Sequence, residues 1–267
     1  MFITFLSDFG LADDFVGTCH AVIKRIAPAA QIIDITHGIA PQEVLQGAIV
    51  LANTLPYAPA GVHLAIVDPG VGGGRRALAL ELTEGRRLVG PDNGLLLLAA
   101  ERLGGIVAAH ELTNPAYALT PVSATFHGRD VFSPAAAHLA LGVPIAELGP
   151  PLDPEALVRL DLPSPEVSDS RIRATCLYVD RFGNMQLNLG RDQLEASGLV
   201  PGRRVRLVVG DRTHDAVAAR TFADAEAGEL ILYQDSYRSV SLAVSSGNAA
   251  ERLGATAGTG VVIEVPA

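Results

Sequence analysis

Val62-His63-Leu64-Ala65-Ile66-Val67-Asp68-Pro69-Gly70-Val71-Gly72-Gly73-Gly74-Arg75-Arg76 begins as a strand and ends as a glycine-rich polar loop. Residues 62–67 are apolar except for His63, with no regular alternation, which is the pattern of a strand covered on both faces. Upstream, residues 2–6 and 32–35 read as two more strands. Between and after them, Phe15, Val16, Cys19, Val22, Ile23 and Ile26 repeat at helical spacing, and a second helix is predicted over 41–55, opening at a proline. Downstream, residues 77–82 and 88–89 read as strands and 94–103 as a helix. Strands that alternate with helices predict an α/β domain with a parallel or mixed sheet flanked by helices.

The pattern changes near residue 150. Pro144, Pro150, Pro151, Pro154, Pro163 and Pro165 fall within a short stretch, which excludes regular helix or central strand there. Beyond it, runs at 171–179, 204–209, 217–219, 230–233, 240–244 and 261–265 predict strands without intervening helices. The expected organisation is therefore an α/β domain over 1–150, a proline-rich linker over 151–170, and an all-β, barrel-like domain over 171–267.

Composition limits the function. Of the 267 residues 49% are hydrophobic and 18% charged, enough apolar content to exclude intrinsic disorder. A net charge of −9 argues against nucleic acid as a partner, since that needs a basic stripe. The longest apolar tract, 94–100, ends at Glu101 and Arg102, far short of the ~20 residues of a membrane span. The opening MFITFLSDFG reads as a strand ending at Asp8 rather than a secretion signal. Two cysteines, Cys19 and Cys176, form no disulfide framework and no metal motif, so a cytoplasmic setting is expected.

Five stretches carry candidate chemistry. Asp8, in Ser7-Asp8-Phe9-Gly10, ends the first strand, where ligands bind in open α/β sheets; a carboxylate there can accept hydrogen bonds from a diol. Asp13 and Asp14 follow, and Asp14 is read as a helix cap. Asp68 and Arg75 flank the four glycines of the central loop, which is neither a P-loop nor a dinucleotide fingerprint. Gly90-Pro91-Asp92-Asn93-Gly94 is a polar turn. His127, in Phe126-His127-Gly128-Arg129-Asp130-Val131-Phe132, is the imidazole expected to titrate near neutral pH. In the C-terminal half, Asp180-Arg181-Phe182-Gly183-Asn184 places an acid, an aromatic ring and an amide on one turn, and Ser236-Tyr237 lies near a late strand.

In this order the motifs SDFG with Asp13-Asp14, DITHGI, VDPGVG with Arg75, GPDNGLL, FHGRDVF and DRFGN resemble the S-adenosyl-L-methionine (SAM) hydroxide adenosyltransferases. These are adenosine-forming SAM hydrolases, relatives of the fluorinase and chlorinase. The resemblance implies a homotrimer with its active site at the subunit interface, SAM as substrate, and neither cofactor nor metal. It implies that Asp68, Arg75 and His127 hold the attacking water. It further implies that Asp8 binds the ribose diol, that Asp13, Asp180 and Ser236 contact the methionine portion, and that Phe182, Asn184 and Phe222 form the adenine site. The halogenating relatives carry Tyr and Thr in the strand-end loop, Ser after the later aromatic and a pocket Trp; Asp68, Val71, Gly128 and Gln42 stand there in this chain. Two positions depart from the family pattern: Leu187 replaces a common Thr and Arg238 a common Gly. Alternatives at this point are a halide-using SAM 5′-halogenase, a non-catalytic SAM or adenosine-binding protein, and a metal-dependent hydrolase built on Asp8, Asp13 and His127.

Overall fold

A computed structural model of the chain describes residues 1–168, 170–196 and 199–265. Asp169, near the end of the predicted linker, and residues 197–198 and 266–267 of the predicted barrel domain lie outside the described residues. The chain forms two compact units, Met1–Leu160 and Asp161–Ala267.

The first unit contains β1 (Phe2–Ser7), α1 (Phe15–Ile26), β2 (Gln31–Thr36), α2 (Val44–Thr54), β3 (Gly61–Ile66), β4 (Ala77–Leu82), β5 (Arg87–Pro91), α3 (Leu97–Arg102), β6 (Ile106–Glu111), α4 (Ser133–Ala140) and β7 (Pro151–Leu152). The strands form one mixed sheet in the order β2-β1-β3-β5-β4-β6-β7. The pairs β1–β2, β1–β3 and β3–β5 are parallel, whereas β4 runs antiparallel to both β5 and β6. Every residue of β3 is buried, His63 included, as a run apolar at all other positions requires of a central strand. One core packs Ile3, Phe5, Ile23, Val62, Leu64 and Phe132, and a second packs Leu6, Leu51, Leu55, Leu80, Leu88 and Leu96.

Helix α2 begins at Val44, three residues later than predicted from Pro41. Gln42 adopts a left-handed backbone (φ +68°), which cannot continue a helix. Helix α3 is likewise shorter than 94–103, because Gly94 takes φ +91°. Strand β6 and helix α4 were absent from the sequence reading. The predicted linker is partly structured: Pro151 and Leu152 pair with β6 at the sheet edge, where a missing N–H is tolerated.

The second unit contains β8 (Glu166–Ser168), β9 (Arg171–Val179), β10 (Met185–Gly190), α5 (Arg191–Ala196), β11 (Arg204–Val209), β12 (Arg212–Ala219), β13 (Leu230–Gln234), β14 (Ser239–Val244), α6 (Ala249–Leu253) and β15 (Gly260–Glu264). The order β10-β14-β13-β12-β11-β15-β9 closes on itself through β9–β10 pairing, which gives a seven-stranded barrel with β8 appended beside β9. Closure leaves no open edge among the seven. Alternate residues point inward, such as Met185, Leu187 and Leu189 of β10, a strand missed in the sequence because polar residues separate them. Leu187, where the family commonly has Thr, is therefore a barrel core residue.

Candidate active site

Strands β1 and β3 are hydrogen-bonded neighbours with Ser7 opposite Ile66, and the Asp8 amide donates to the Ile66 carbonyl at 3.3 Å. The residues just beyond their carboxyl ends, Asp8 and Asp68, are thereby brought side by side where an α/β sheet offers its crevice. Both line a cleft of about 350 Å³ together with Phe9, Gln42, Val71, Phe126 and His127.

The glycine-rich loop after β3 turns Arg75 back onto Asp68. Arg75 Nε lies 2.9 and 3.0 Å from the two carboxylate oxygens, and Nη2 also donates to Oδ2. The pair is nearly sealed from solvent, with 11% and 6% of the side chains exposed, and the guanidinium carbon sits 5.1 Å from the centre of the buried Phe132 ring. Arg75 Nη2 also reaches His127 Nδ1 at 2.9 Å. Arginine is only a donor, so Nδ1 accepts and the neutral imidazole carries its proton on Nε2. Burial, reinforced by the Arg75 charge, holds the His127 pKa below the usual 6.5. The imidazole expected to titrate near neutrality is thus held toward its neutral form, because burial disfavours the charged ring and protonation would set it against the Arg75 cation.

His127 immediately precedes a π-turn, Gly128–Phe132, that leads into α4. Buried Asp130 steadies this segment, accepting from the Ser123 amide at 2.8 Å and from Arg129. Phe9, Phe15 and Phe126 pack edge-on or tilted with centroids 5.2–5.9 Å apart. A Cβ on Gly128 would stand 3.0 Å from Phe9 Cζ and 3.3 Å from Phe126 Cε2. Gly72, at φ +76°, lets the glycine-rich loop touch the segment before His127, since a Cβ there would fall 2.2 Å from the Ala124 carbonyl oxygen.

Asp8 Oδ2 accepts the Gln42 amide at 2.9 Å, a contact made through the left-handed backbone of Gln42. The sequence offered no signal for that backbone state. Asp13 is exposed in the bend before α1 and is not among the cleft-lining residues. Asp14 occupies the cap position of α1 but makes no side-chain bond to the helix backbone; it accepts from the Thr18 hydroxyl at 3.1 Å instead. Asp8, Asp13 and His127 do not form a converging metal-ligand set among the described residues. Asp92 and Asn93 of the polar turn are structural: Asp92 accepts from Arg76 and the Val158 amide, and Asn93 bonds the Val67 carbonyl.

The barrel unit carries a larger cavity of about 820 Å³, whose lining includes Asp180, Phe182, Asn184, Phe222 and Ser236. Asp180 organises its own turn. Its Oδ1 accepts the Phe182 and Asn184 amides at 2.8 and 2.9 Å, and Oδ2 accepts Asn184 Nδ2 at 2.8 Å. Phe182 is 71% exposed at the tip of that turn, whereas Phe222 packs on Tyr233 with centroids 5.1 Å apart. Tyr233, Gln186 and Asp235 also line the cavity and escaped the sequence reading, being dispersed in strands or adjoining turns. Burial, with Asp235 and Asp180 nearby, pushes the Tyr233 phenol up to about 12, leaving it protonated at neutral pH.

An α/β unit with a sheet-end cleft and a buried carboxylate–guanidinium–imidazole chain, and a barrel unit with a polar-aromatic cavity, define a two-domain class. Residues 3–149 match the SAM hydroxide adenosyltransferase N-terminal domain and residues 174–262 the C-terminal domain, and the chain belongs to that family. It is 52% identical over 256 residues to a Salinispora arenicola protein named (R)-S-adenosyl-L-methionine hydrolase, covering 96% of this chain and 95% of the relative. A Thermus thermophilus protein of the same name is 41% identical, with 94% and 95% covered, whereas an Actinoplanes fluorinase is 30% identical, with 90% of each covered. A crystal structure of a conserved Thermotoga maritima protein superposes with a TM-score of 0.92 at 36% identity, covering 98% of this chain and 99% of that one.

Gly72→Ala combines an unfavourable φ with a backbone clash. It is expected to destabilise the protein by more than ~1 kcal/mol, read as a lowered urea midpoint. Gly74→Ala, where a Cβ meets nothing within 4 Å, is the matched control and should shift it much less.

Proposed function

We propose that this protein hydrolyses SAM to adenosine and L-methionine, with Asp68, Arg75 and His127 holding the attacking water. The observation that carries the reading is Arg75, bonded to Asp68 on one side and to His127 on the other, where Asp68 and His127 line the same cleft as Asp8. The names of the relatives support the substrate.

The reaction is a displacement at C5′. The oxygen of water bonds to C5′ as the C5′–S bond breaks, and its electron pair passes to sulfur. Methionine then leaves as a neutral thioether, which needs no proton and no Lewis acid. The requirement is an oxygen nucleophile held about 3 Å from carbon, in line with sulfur. Arg75, and His127 through Nε2–H, act as donors to that oxygen, and the fixed guanidinium favours its hydroxide character. His127 Nδ1 is already occupied by Arg75, which leaves Asp68 as the acceptor, so the released proton passes to its carboxylate and then to solvent. Aromatic walls suit a substrate whose sulfonium charge disperses in the transition state.

Asp8 binds the ribose diol, its carboxylate oriented by the Gln42 amide. Phe182, Asn184 and Phe222 form the adenine site. Ser236, with Asp13, contacts the methionine portion, and Asp180 acts there from the turn it organises. Gly128 supports water rather than halide: the serine carried by halogenating relatives would require Phe9 to move. No described helix is long and apolar enough to cross a membrane, and both cysteines are free and buried, in keeping with a cytoplasmic protein. The functional assembly is a homotrimer whose active site lies at the subunit interface, as the family resemblance implies.

Incubation with SAM in ¹⁸O-water should give adenosine labelled at the 5′-hydroxyl and unlabelled methionine. Unlabelled adenosine, no product, or a 5′-chloro nucleoside formed in chloride would overturn the reading. Arg75→Ala and His127→Ala are expected to lower kcat by about 10²–10³-fold with a much smaller change in KM; unaltered turnover in both would remove the triad.

Because the His127 pKa is lowered, the neutral form persists through neutral pH and is lost only as pH falls below that lowered value. The kcat profile should therefore be level around pH 7 and decline on the acid side below 6.5, where His127 protonates and its contact with Arg75 breaks.

A further inference from the structure

A second cluster lies behind the loop that carries Asp8. His20 projects from α1, Asp34 from the edge strand β2, and His37 from the turn after it. His20 Nε2, Asp34 Oδ1 and His37 Nε2 all lie within 4.8 Å of one another. Asp34 Oδ1 is 2.9 Å from His20 Nε2 and 3.1 Å from His37 Nε2. These spacings are near the ~3.3 Å edge of a tetrahedron whose metal–ligand bonds are about 2.0–2.1 Å.

His37 is the informative residue. Its side chain is 3% exposed, and its Nε2 is fully buried without a hydrogen-bond partner, although Asp34 Oδ1 is close. The ring nitrogen is within reach of the carboxylate but not aligned with it. His20 Nε2 is hydrogen-bonded to Asp34 Oδ1 at 2.9 Å, so His37 Nε2 is the nitrogen of the cluster left without a partner, as a ligand aimed at a shared ion would be. His37 Nδ1 is engaged by the buried Ser7 hydroxyl at 2.8 Å, and Ser7 Oγ also accepts the Phe9 amide at 3.3 Å. With Nδ1–H donated to Ser7, the Nε2 lone pair is left directed into the cluster. An outer hydrogen bond that fixes the tautomer is the usual support of a metal-binding histidine. Phe5 backs both imidazoles, with centroids 4.7 Å from His37 and 5.9 Å from His20. On the other side His20 and Asp34 are 30% and 41% exposed, which leaves room for solvent to complete a coordination shell.

We propose that His20, Asp34 and His37 bind a divalent transition-metal ion of the zinc, cobalt or nickel type, separate from the reacting centre. Two imidazoles and one carboxylate suit these borderline ions better than calcium or magnesium. The bound ion would fasten α1 to the end of β2. Through His37 and Ser7 it would also steady the turn that presents Asp8. This role is structural and is independent of which nucleophile attacks in the cleft.

The test uses the untagged full-length protein, stripped with a chelator and titrated with Co²⁺ alone. One equivalent should bind with visible d–d absorption, and Zn²⁺ should displace it and raise the Tm. His20→Ala and Asp34→Asn should each weaken Co²⁺ binding by about tenfold or more and abolish the Zn²⁺-dependent rise. If either variant fails to fold, ring-nitrogen NMR of the wild type decides: Zn²⁺ should move the signals of His20 and His37 and no other histidine. A simple hydrogen-bonded surface cluster is the conclusion, and the proposal falls, if there is no saturable uptake below millimolar metal, if His20→Ala binds equally well, or if the perturbed signals belong to other histidines.

Discussion

The site depends on one guanidinium. Arg75 reaches both Asp68, just beyond the end of β3, and His127, fifty-two residues after Arg75 itself. A charge this enclosed is tolerable only when paired, and the Asp68 carboxylate supplies the pair. Arg75 also determines the state of His127. By donating to Nδ1 it assigns the tautomer, and its charge adds to burial in lowering the pKa. The neutral imidazole, the fixed cation and the paired carboxylate are therefore aspects of one contact.

Two backbone features make that contact attainable. Parallel pairing of β1 with β3 brings Asp8 and Asp68 together at the sheet end. Gly72 then allows the glycine-rich loop to lie on the backbone at Ala124, three residues before His127. Gly72 thus serves the packing of this loop on another segment of the same chain. The π-turn after His127 and the packing of Gly128 on Phe9 complete the local fit.

The barrel solves a different problem. Its polar lining is held by short self-contained turns, in which Asp180 and Asp235 each accept amides from their own loops. Those carboxylates shape the loops first and meet a ligand only with the capacity that remains. Gly183, at φ +81°, also fits closely against Asn248, where a Cβ would lie 1.9 Å from the amide oxygen. The DRFGN turn consequently packs closely against Asn248 while the Phe182 ring stays exposed.

The α/β and barrel classes were legible from periodicity, because β3 reads as a strand buried on both faces and the C-terminal half lacks helical repeats. The residue types Asp68, Arg75 and His127 were legible from motif order. Elements whose burial comes from alternation with polar residues, such as β10, were not legible, nor were the left-handed Gln42 that orients Asp8 and the tautomer of His127. Local sequence determines which residues favour strand, helix or turn, since those preferences act over a few neighbours. Only the tertiary structure decided which distant side chains share a proton or a charge, because a pKa, a tautomer and a converging set of lone pairs depend on groups that meet after the chain has folded.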